Sequence, residues 1–484
     1  MTAATEHDST LRSSGAIAIA RSRDLAENFD YFKGFLLRLR RNVVGHQGIR
    51  FRSRALLPNG EPDEEKRAEI SAAFAEWSKA QTCSVDGQLS LTGLQAQAVV
   101  SVARDGGIYW RLVDLPRSEN RFALAIQPIE KTAIDFAYDR DLGGGRRIVM
   151  GVEFAARSRR PVAYHFKTQP NGNPIDAYVF GGSTYVRIPA REIIDLTMRD
   201  YVTQTHGLPW AVSTMIRARH LHGYEEAELI AARVAASKMG FWTTSGDDEY
   251  AGPEDEETGL RTMEAEPGLI DVAPKGTEFQ AWDPQHPTTA FESFCKSMLR
   301  GFASGLGVGY VGTANDPQGT SFASGRVELI SDRDYYREIQ AWLASTALDR
   351  VFDAWFEKQQ LTGTIKPSTA ETESLHRLAH WQGRGWQWVD PLKDATAAML
   401  EYGLGATTLE RIVAERTGEE WADVMRQIAR ERKLAQELGI PIDTGGGSGD
   451  LFASILGGAA SSSGSARAAL ARAILQGEIA AGGE

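Results

Sequence analysis

The spacing of Gly307, Gly309 and Gly312 matches GxGxxG, the turn that cradles phosphates in dinucleotide-binding folds. That chemistry needs a buried strand before the turn and a helix start after it, because the cofactor pyrophosphate rests on the helix's N-terminal amides. Here Phe291, Phe294, Met298 and Phe302 precede the turn at helical spacing, and Asn315-Asp316-Pro317 follows it. The context speaks against a cofactor, and a nucleotide-dependent oxidoreductase built on Gly307–Gly312 is the rival reading. His220 and His222 stand near Glu225, Glu226 and Glu228. Residues two apart on a helix point about 200° apart, so the two imidazoles cannot share one ion, and a solvated helix face explains them better. Gly143-Gly-Gly145 lacks the Lys-Ser/Thr of a phosphate loop and reads as a hairpin turn. Asp334 and Glu338, four apart on a helix, are commonplace surface carboxylates. GxSxG, HExxH and CxxC are absent from the sequence. Neither catalysis, nor a metal, nor a cofactor is expected.

The elements that would position any site come from a chain of 484 residues, long enough for two or more compact units. Its 64 acidic and 53 basic side chains give a net charge of −11, which argues against a protein that grips nucleic acid by neutralising phosphates. Duplex passing by is compatible with that charge, since a conduit should not hold what moves through it. Cys83 and Cys295 are too few for a disulfide framework or a cysteine zinc site and read as small buried residues. No apolar run reaches membrane-spanning length, and the N-terminus lacks the pattern of a secretory signal, so the expectation is synthesis and assembly in a cytoplasm.

Helical spacing predicts helices over Asp24–Val44, Glu64–Trp77 and Pro209–Met239. A fourth follows a Thr289/Glu292 capping box, and a long one runs over Ser321–Gln359. Short β-branched and aromatic runs predict strands at Ile108–Val113, Ile148–Phe154, Val162–Phe166, Tyr178–Ile188, Leu269–Val272 and Phe279–Trp282. Between Pro209 and Gln359 the order is helix, β insertion, helix, Gly-rich loop, long helix. Residues 246–257 carry seven carboxylates and read as an exposed loop. Short helices follow Trp386, with a second capping box at Thr407 and Glu410. After Pro441 the Gly/Ser/Ala-rich stretch has too few large apolar residues to fold alone.

Six short motifs in this order resemble the lambda-type family of phage portal proteins from about Arg21 to Gly439: Arg41-Asn-Val-Val-Gly45 with Gly48-Ile49; Arg104-Asp-Gly-Gly107; Gly151–Phe166; Glu225–Ala236; Gly305–Tyr336; and Trp388-Val-Asp390-Pro391. Asp195-Leu-Thr197 and Tyr201–His206 depart from the family pattern. The resemblance implies an α+β portal fold with an α/β wing, long stem helices, a small β-containing clip and a helical crown, assembled as a ring. Residues 1–20 would be a flexible arm, 21–207 the wing, 208–240 and 287–306 the stem helices, and 241–286 the clip. Residues 307–325 would be the tunnel loop, 326–385 the long wing helix and its connection, 386–440 the crown and 441–484 a flexible tail. It further implies a cyclic homo-oligomer, usually a dodecamer, at one capsid vertex of a virion, passing double-stranded DNA. Its partners would be the terminase large subunit, a head-completion protein and the major capsid protein, with no membrane and no enzymatic role. Gly309, Tyr310, Val311, Thr313, Asn315, Asp316 and Gln318 are the expected DNA-channel residues. Asp247, Asp248, Glu249, Glu254, Asp255, Glu256 and Glu257 are the expected docking residues of the clip.

Overall fold

The computed structural model describes residues 7–168, 185–236, 240–244, 277–281, 291–387, 389–417 and 421–439. The acidic run 247–257, the expected strand Leu269–Val272, Thr289 of the first capping box, Trp388 and the 441–484 tail lie outside them.

Helix α1 spans His7–Asn28 and α2 Asp30–Leu39, which runs on into a π-helical turn at Arg40–Val44. Residues 7–20, expected as an arm, are thus helical: Leu11, Gly15 and Ile19 are buried, and Gly15 lies against the Phe136 ring where a side chain would crowd it. A stripe made partly of Gly and Ser carries little hydrophobic signal, which is why the sequence pattern missed it. The single helix expected over Asp24–Val44 is broken at Phe29, whose backbone is extended. Strand β1, Arg50–Ser53, leads to α3, Glu64–Trp77, where Asp63 caps the helix by accepting from Lys66 N at 2.9 Å. The short α4, Ala80–Cys83, precedes α5, Leu91–Asp105, a helix the sequence reading did not contain. Leu94, Ala98, Val99, Val102 and Ala103 are all buried on α5, and the stripe left open, Gly93, Gln97, Val100 and Arg104, is too narrow and mixed to make the helix legible.

Eight strands follow: β2 Ile108–Asp114, β3 Leu124–Glu130, β4 Arg140–Gly143, β5 Arg146–Val149, β6 Val152–Phe154, β7 Pro161–Lys167, β8 Tyr185–Pro189 and β9 Ile193–Leu196. They form an antiparallel sheet in the order β3-β2-β9 and a second, five-stranded one in the order β4-β5-β6-β7-β8. Gly143, Gly144 and Gly145 turn the β4–β5 hairpin as expected, all with positive φ. The single strand expected over Ile148–Phe154 is two, reversed at Met150–Gly151, both also at positive φ. Alternation along β2 serves two cores: Ile108, Trp110 and Leu112 join the main core, while Tyr109 packs with Phe136, Tyr164 and Phe166.

A 3₁₀ turn at Trp210–Ser213 opens α6, Met215–Ala236. Strands β10, Gly240–Thr244, and β11, Thr277–Ala281, pair antiparallel, and α7 spans Phe291–Gly305. After the five-residue α8, Tyr310–Ala314, comes α9, Phe322–Leu343, capped by Ser321. A π turn at Ala344–Leu348 joins it to α10, Asp349–Thr362, so the long helix expected from Ser321 is present with one bulge. Its stripe of Tyr336, Ile339, Leu343, Val351 and Trp355 is buried in the main core with Phe32, Phe35 and Trp77. The short α11, Glu373–His376, precedes β12, Ala379–Gln382, which pairs with β1, and α12 spans Pro391–Gly403. Cys83 is buried as expected, whereas Cys295 is only partly so, being on a helix face that is half covered.

The chain divides into two compact units, 1–394 and 395–484. In the second, α13, Leu409–Thr417, packs on α14, Trp421–Leu438. Thr408, not the expected Thr407, caps α13 by accepting from Arg411 N at 3.2 Å.

A strap of residues 199–207 carries the chain from β9 to α6 through a buried polar network. Lys131, fully buried, places Nζ 2.9 Å from Thr197 Oγ1, 3.4 Å from Asp195 Oδ1 and 4.3 Å from the centre of the Tyr109 ring. Arg199 reaches the same carboxylate at 2.7 Å. His206 Nε2 lies 2.8 Å from the Met150 carbonyl, which can only accept, so the proton is on Nε2 and Nδ1 accepts from Tyr109 Oη at 3.2 Å. Asp8 of α1 takes both Thr205 N, at 2.9 Å, and Thr205 Oγ1, at 2.7 Å. Gly106 and Gly207 pass backbone to backbone with no room for a side chain at either.

Candidate functional site

Helices α6 and α7 pack antiparallel: Tyr224 stacks on Phe291 and lies 4.6 Å from the Phe294 ring, Arg217 meets Met298 and Gly301, and Ser213 reaches Gly305. Glycines at 301 and 305 let Arg217 and Thr214 approach where a Cβ would collide. The pair anchors through Leu221, Leu299 and Phe302, all buried in the main core. Beyond that anchor, Leu229 and Ile230 of α6 and Phe294 of α7 are exposed. His222 contributes an edge contact to Phe29, 6.5 Å between ring centres, and Glu225 beside it is pushed up by burial. No group of three or more potential metal ligands occurs among the described residues.

The Gly-rich segment 305–319 emerges from α7 and is fastened to α9. Asp332 accepts from Gly309 N at 2.9 Å, and Glu328 Oε1 accepts from Val311 N at 2.8 Å and Gly312 N at 3.4 Å. These are the amides a dinucleotide turn would offer to phosphate, and the chain's own carboxylates occupy them. The glycines answer to close packing instead: a Cβ at Gly309 would enter Glu328 and one at Gly312 would enter the Arg38 guanidinium, while Gly307 has φ +74. Arg38 also faces Asp332 at 3.6 Å. Burial pushes Asp332 upward against the lowering effects of the Gly309 amide and Arg38. A helix, α7, precedes the turn as its spacing predicted, whereas Tyr310–Ala314 form the short α8 before Asn315-Asp316-Pro317 is reached.

The expected channel residues fall into two groups. Thr313 is buried, its hydroxyl donating to Gly309 O at 2.8 Å. Gly309, Tyr310 and Val311 are half-buried in the same anchor. Asn315, in the left-handed conformation with φ +52, and Gln318 are exposed at the tip. Asp316 joins the groups: it accepts from Tyr310 Oη at 2.8 Å and Gln318 N at 3.0 Å, and lies 3.4 Å from Lys296 Nζ. The Tyr310 hydroxyl and these partners hold its carboxyl below the usual range. The expected docking residues 247–257 lie outside the described residues.

The sequence reading missed Asp332, Glu328 and Arg38. One signal was present: Asp332 sits four residues before Tyr336, on the line of the apolar stripe, where a carboxylate must find buried donors.

Comparisons with known proteins bear on this arrangement. The family model for phage portal protein, lambda family, matches residues 1–340. A "Probable portal protein" of Halomonas phage phiHAP-1 is 34% identical over 431 residues, covering 87% of this chain and 81% of that protein. Portal protein B of Escherichia phage lambda is 25% identical over 162 residues, 32% of this chain and 30% of its own length. Among solved structures, a chain in the neck of an empty GTA particle, computed with C6 symmetry, aligns with TM-score 0.41 and 11% identity, covering 85% of this chain and 94% of that one. One in the virion of a native gene transfer agent particle gives TM-score 0.43 at 10% identity, covering 83% and 93%. With the family model spanning most of the chain and a relative aligned along most of both lengths, this chain belongs to the lambda family of phage portal proteins.

Proposed function

We propose that copies of this chain close into a ring, a dodecamer by the family resemblance, through which double-stranded DNA enters and leaves a phage head at one vertex. The observation that carries this reading is the antiparallel α6–α7 pair with the 305–319 segment fastened at the end of α7. Exposed Leu229, Ile230 and Phe294 give that pair apolar surface for a neighbouring copy, as a heterologous ring requires. In this assignment residues 208–240 and 287–306 are the stem, 241–286 the clip with β10 and β11 at its base, 307–325 the tunnel segment and 386–440 the crown. Of the tunnel residues, Asn315 and Gln318 meet DNA; Gly309, Tyr310, Val311, Thr313 and Asp316 hold the tip in place. The clip takes the terminase large subunit and afterwards the head-completion protein, and the acidic run 247–257 steers a basic partner surface. The wing meets the major capsid protein. The role is structural, with ATP hydrolysis left to the motor, and the rings assemble in the bacterial host cytoplasm before residing in the virion.

Deleting Asn315–Gln318 tests the assignment. Rings of normal size should form, seen by electron microscopy, while particles package or retain DNA poorly. Full-length DNA at normal particle yield in that deletion would remove the tunnel role.

A further inference from the structure

Between residues 139 and 160 the chain carries six arginines and three carboxylates, a local positive excess in a molecule of net charge −11. The fold gathers them at one end of the five-stranded sheet. The β4–β5 hairpin and the turn after β6 enclose a cleft lined by Arg146, Arg147, Arg157, Ser158 and Arg159, with Asp141 at its side. The three carboxylates are already engaged or outnumbered. Asp139 pairs with Arg12 at 2.8 Å, and Glu153, buried, pairs with Arg146 and with Arg187. Asp141 receives the Gly143 amide at 2.8 Å. Arg159 is partly committed, to Thr203 O, Thr205 and Asp8. Arg140, Arg147, Arg157 and Arg160 are exposed, and their guanidinium groups have no hydrogen-bond or ion-pair partner among the described residues.

An exposed cluster of uncommitted guanidinium groups is held together against its own repulsion, and a polyanion would relieve it. Two kinds of polyanion fit the charge, and the surroundings choose between them. A protein partner would want an apolar centre with a polar rim, yet Leu142 is the one large exposed apolar side chain of the 139–160 segment. A phosphate backbone wants cations and close backbone approach, which the Gly143–Gly145 tip offers without side chains. Exposed aromatic rings for stacking bases are missing from this face among the described residues, so duplex fits better than single strands.

We propose that the Arg140–Arg160 face of the five-stranded sheet is a sequence-independent binding site for the phosphate backbone of duplex DNA. It is separate from the 305–319 tip and requires one chain, not a ring, so its failure would leave the portal assignment standing. The negative total charge does not forbid it, because counterion release is a local event within about 10 Å of the contact.

The test uses the full chain and a fluorescent duplex of arbitrary sequence, read by anisotropy across a salt series. Arg147→Glu, Arg157→Glu and Arg160→Glu together should weaken binding roughly tenfold or more at low salt and lower the log–log salt slope by about 2 to 3, as expected for three lost phosphate contacts. Arg430→Glu, Arg432→Glu and Lys433→Glu on α14 change the net charge equally and should leave binding near wild type. Equal loss in both triple variants, or in neither, would overturn the site. Soluble polyglutamate is the second probe: tighter binding of polyglutamate than of duplex, lost in the same arginine variant, would assign the face to an acidic protein segment and also overturn the proposal. Unchanged melting temperature of the variants confirms that each is folded.

Discussion

Two connecting segments of this chain are pinned by the same device and differ in where the pin sits. The strap 199–207 and the Gly-rich segment 305–319 each surrender backbone amides to carboxylates from another helix: Thr205 N to Asp8 of α1, and Gly309, Val311 and Gly312 N to Asp332 and Glu328 of α9. In the strap His206 is buried, and so are Lys131 and Asp195 in the network it joins, with Arg199 alone reaching in from the surface. In the Gly-rich segment the anchor is half-buried and the tip, Asn315 to Gly319, largely exposed. A buried polar network is costly to break because the orphaned member cannot reach water, whereas a half-buried anchor has solvent at hand to replace part of a lost partner. One segment is therefore built as a fixed joint, the other as a hinge that holds at its root and yields at its tip.

Lys131→Met puts the largest strain on that comparison. It leaves buried Asp195 with Arg199 as its one cation beside the Thr197 hydroxyl, and the expected loss is about 3 to 5 kcal/mol in urea unfolding. A loss below about 1 kcal/mol would mean the strap is no more rigidly set than the tip.

The second effect is pH-dependent. Burial drives the His206 imidazole down to about 3, so it stays neutral in the fold while an unfolded chain binds a proton near pH 6.5. The unfolded state then holds more protons throughout that window, and stability falls as pH drops below 6.5, by up to about 1.4 kcal/mol per pH unit for one group. His206→Gln should flatten most of this fall. A residue of it remains, because burial also lowers His165 and His376. Below pH 4.5 a further loss sets in, because an unfolded chain protonates Glu153 there while the fold holds it ionised down to about 2, first through the Arg187 hydrogen bond. Melting temperatures of wild type and variant at pH 7.5, 6.5 and 5.5 read the difference; parallel curves would sever His206 from the joint's acid sensitivity.

The smallest expected effect is at the hinge. Glu328→Gln keeps an acceptor near Val311 N but removes its charge, for a loss of about 1 kcal/mol. Its sharper readout is limited proteolysis, where cleavage between Thr313 and Ser321 should rise several-fold while cleavage in the strap does not. Equal rates in both segments would erase the distinction between joint and hinge.

How much of this was legible in the sequence depends on where the contrast lay. Helices α3, α6, α7 and the α9–α10 run announced themselves because each presents one apolar face against polar residues. Helix α5 did not, because burial over most of its surface weakens the contrast, and α1 did not, because small residues carry much of its contact. The hairpin at Gly143–Gly145 was readable from local backbone chemistry alone. The reversal at Met150–Gly151 was hidden inside a mainly apolar run, where Gly151 was the single local sign of it.

By itself the sequence determined the α+β alternation, the order of helix, β insertion, helix and Gly-rich segment, the improbability of a cofactor turn at Gly307–Gly312, and the resemblance to phage portal proteins. These rest on periodicity, turn chemistry and motif order, which are properties of neighbours along the chain. Only the tertiary structure decided that Gly312 gives way to Arg38, 274 positions before it, and that Asp332 and Glu328 take the amides of the turn. It also decided that four uncommitted arginines share one face of a net-acidic chain. The reason is physical: charge and hydrogen-bond partners act through space at a few ångströms, and no spacing rule along the chain states which distant residues will occupy that space.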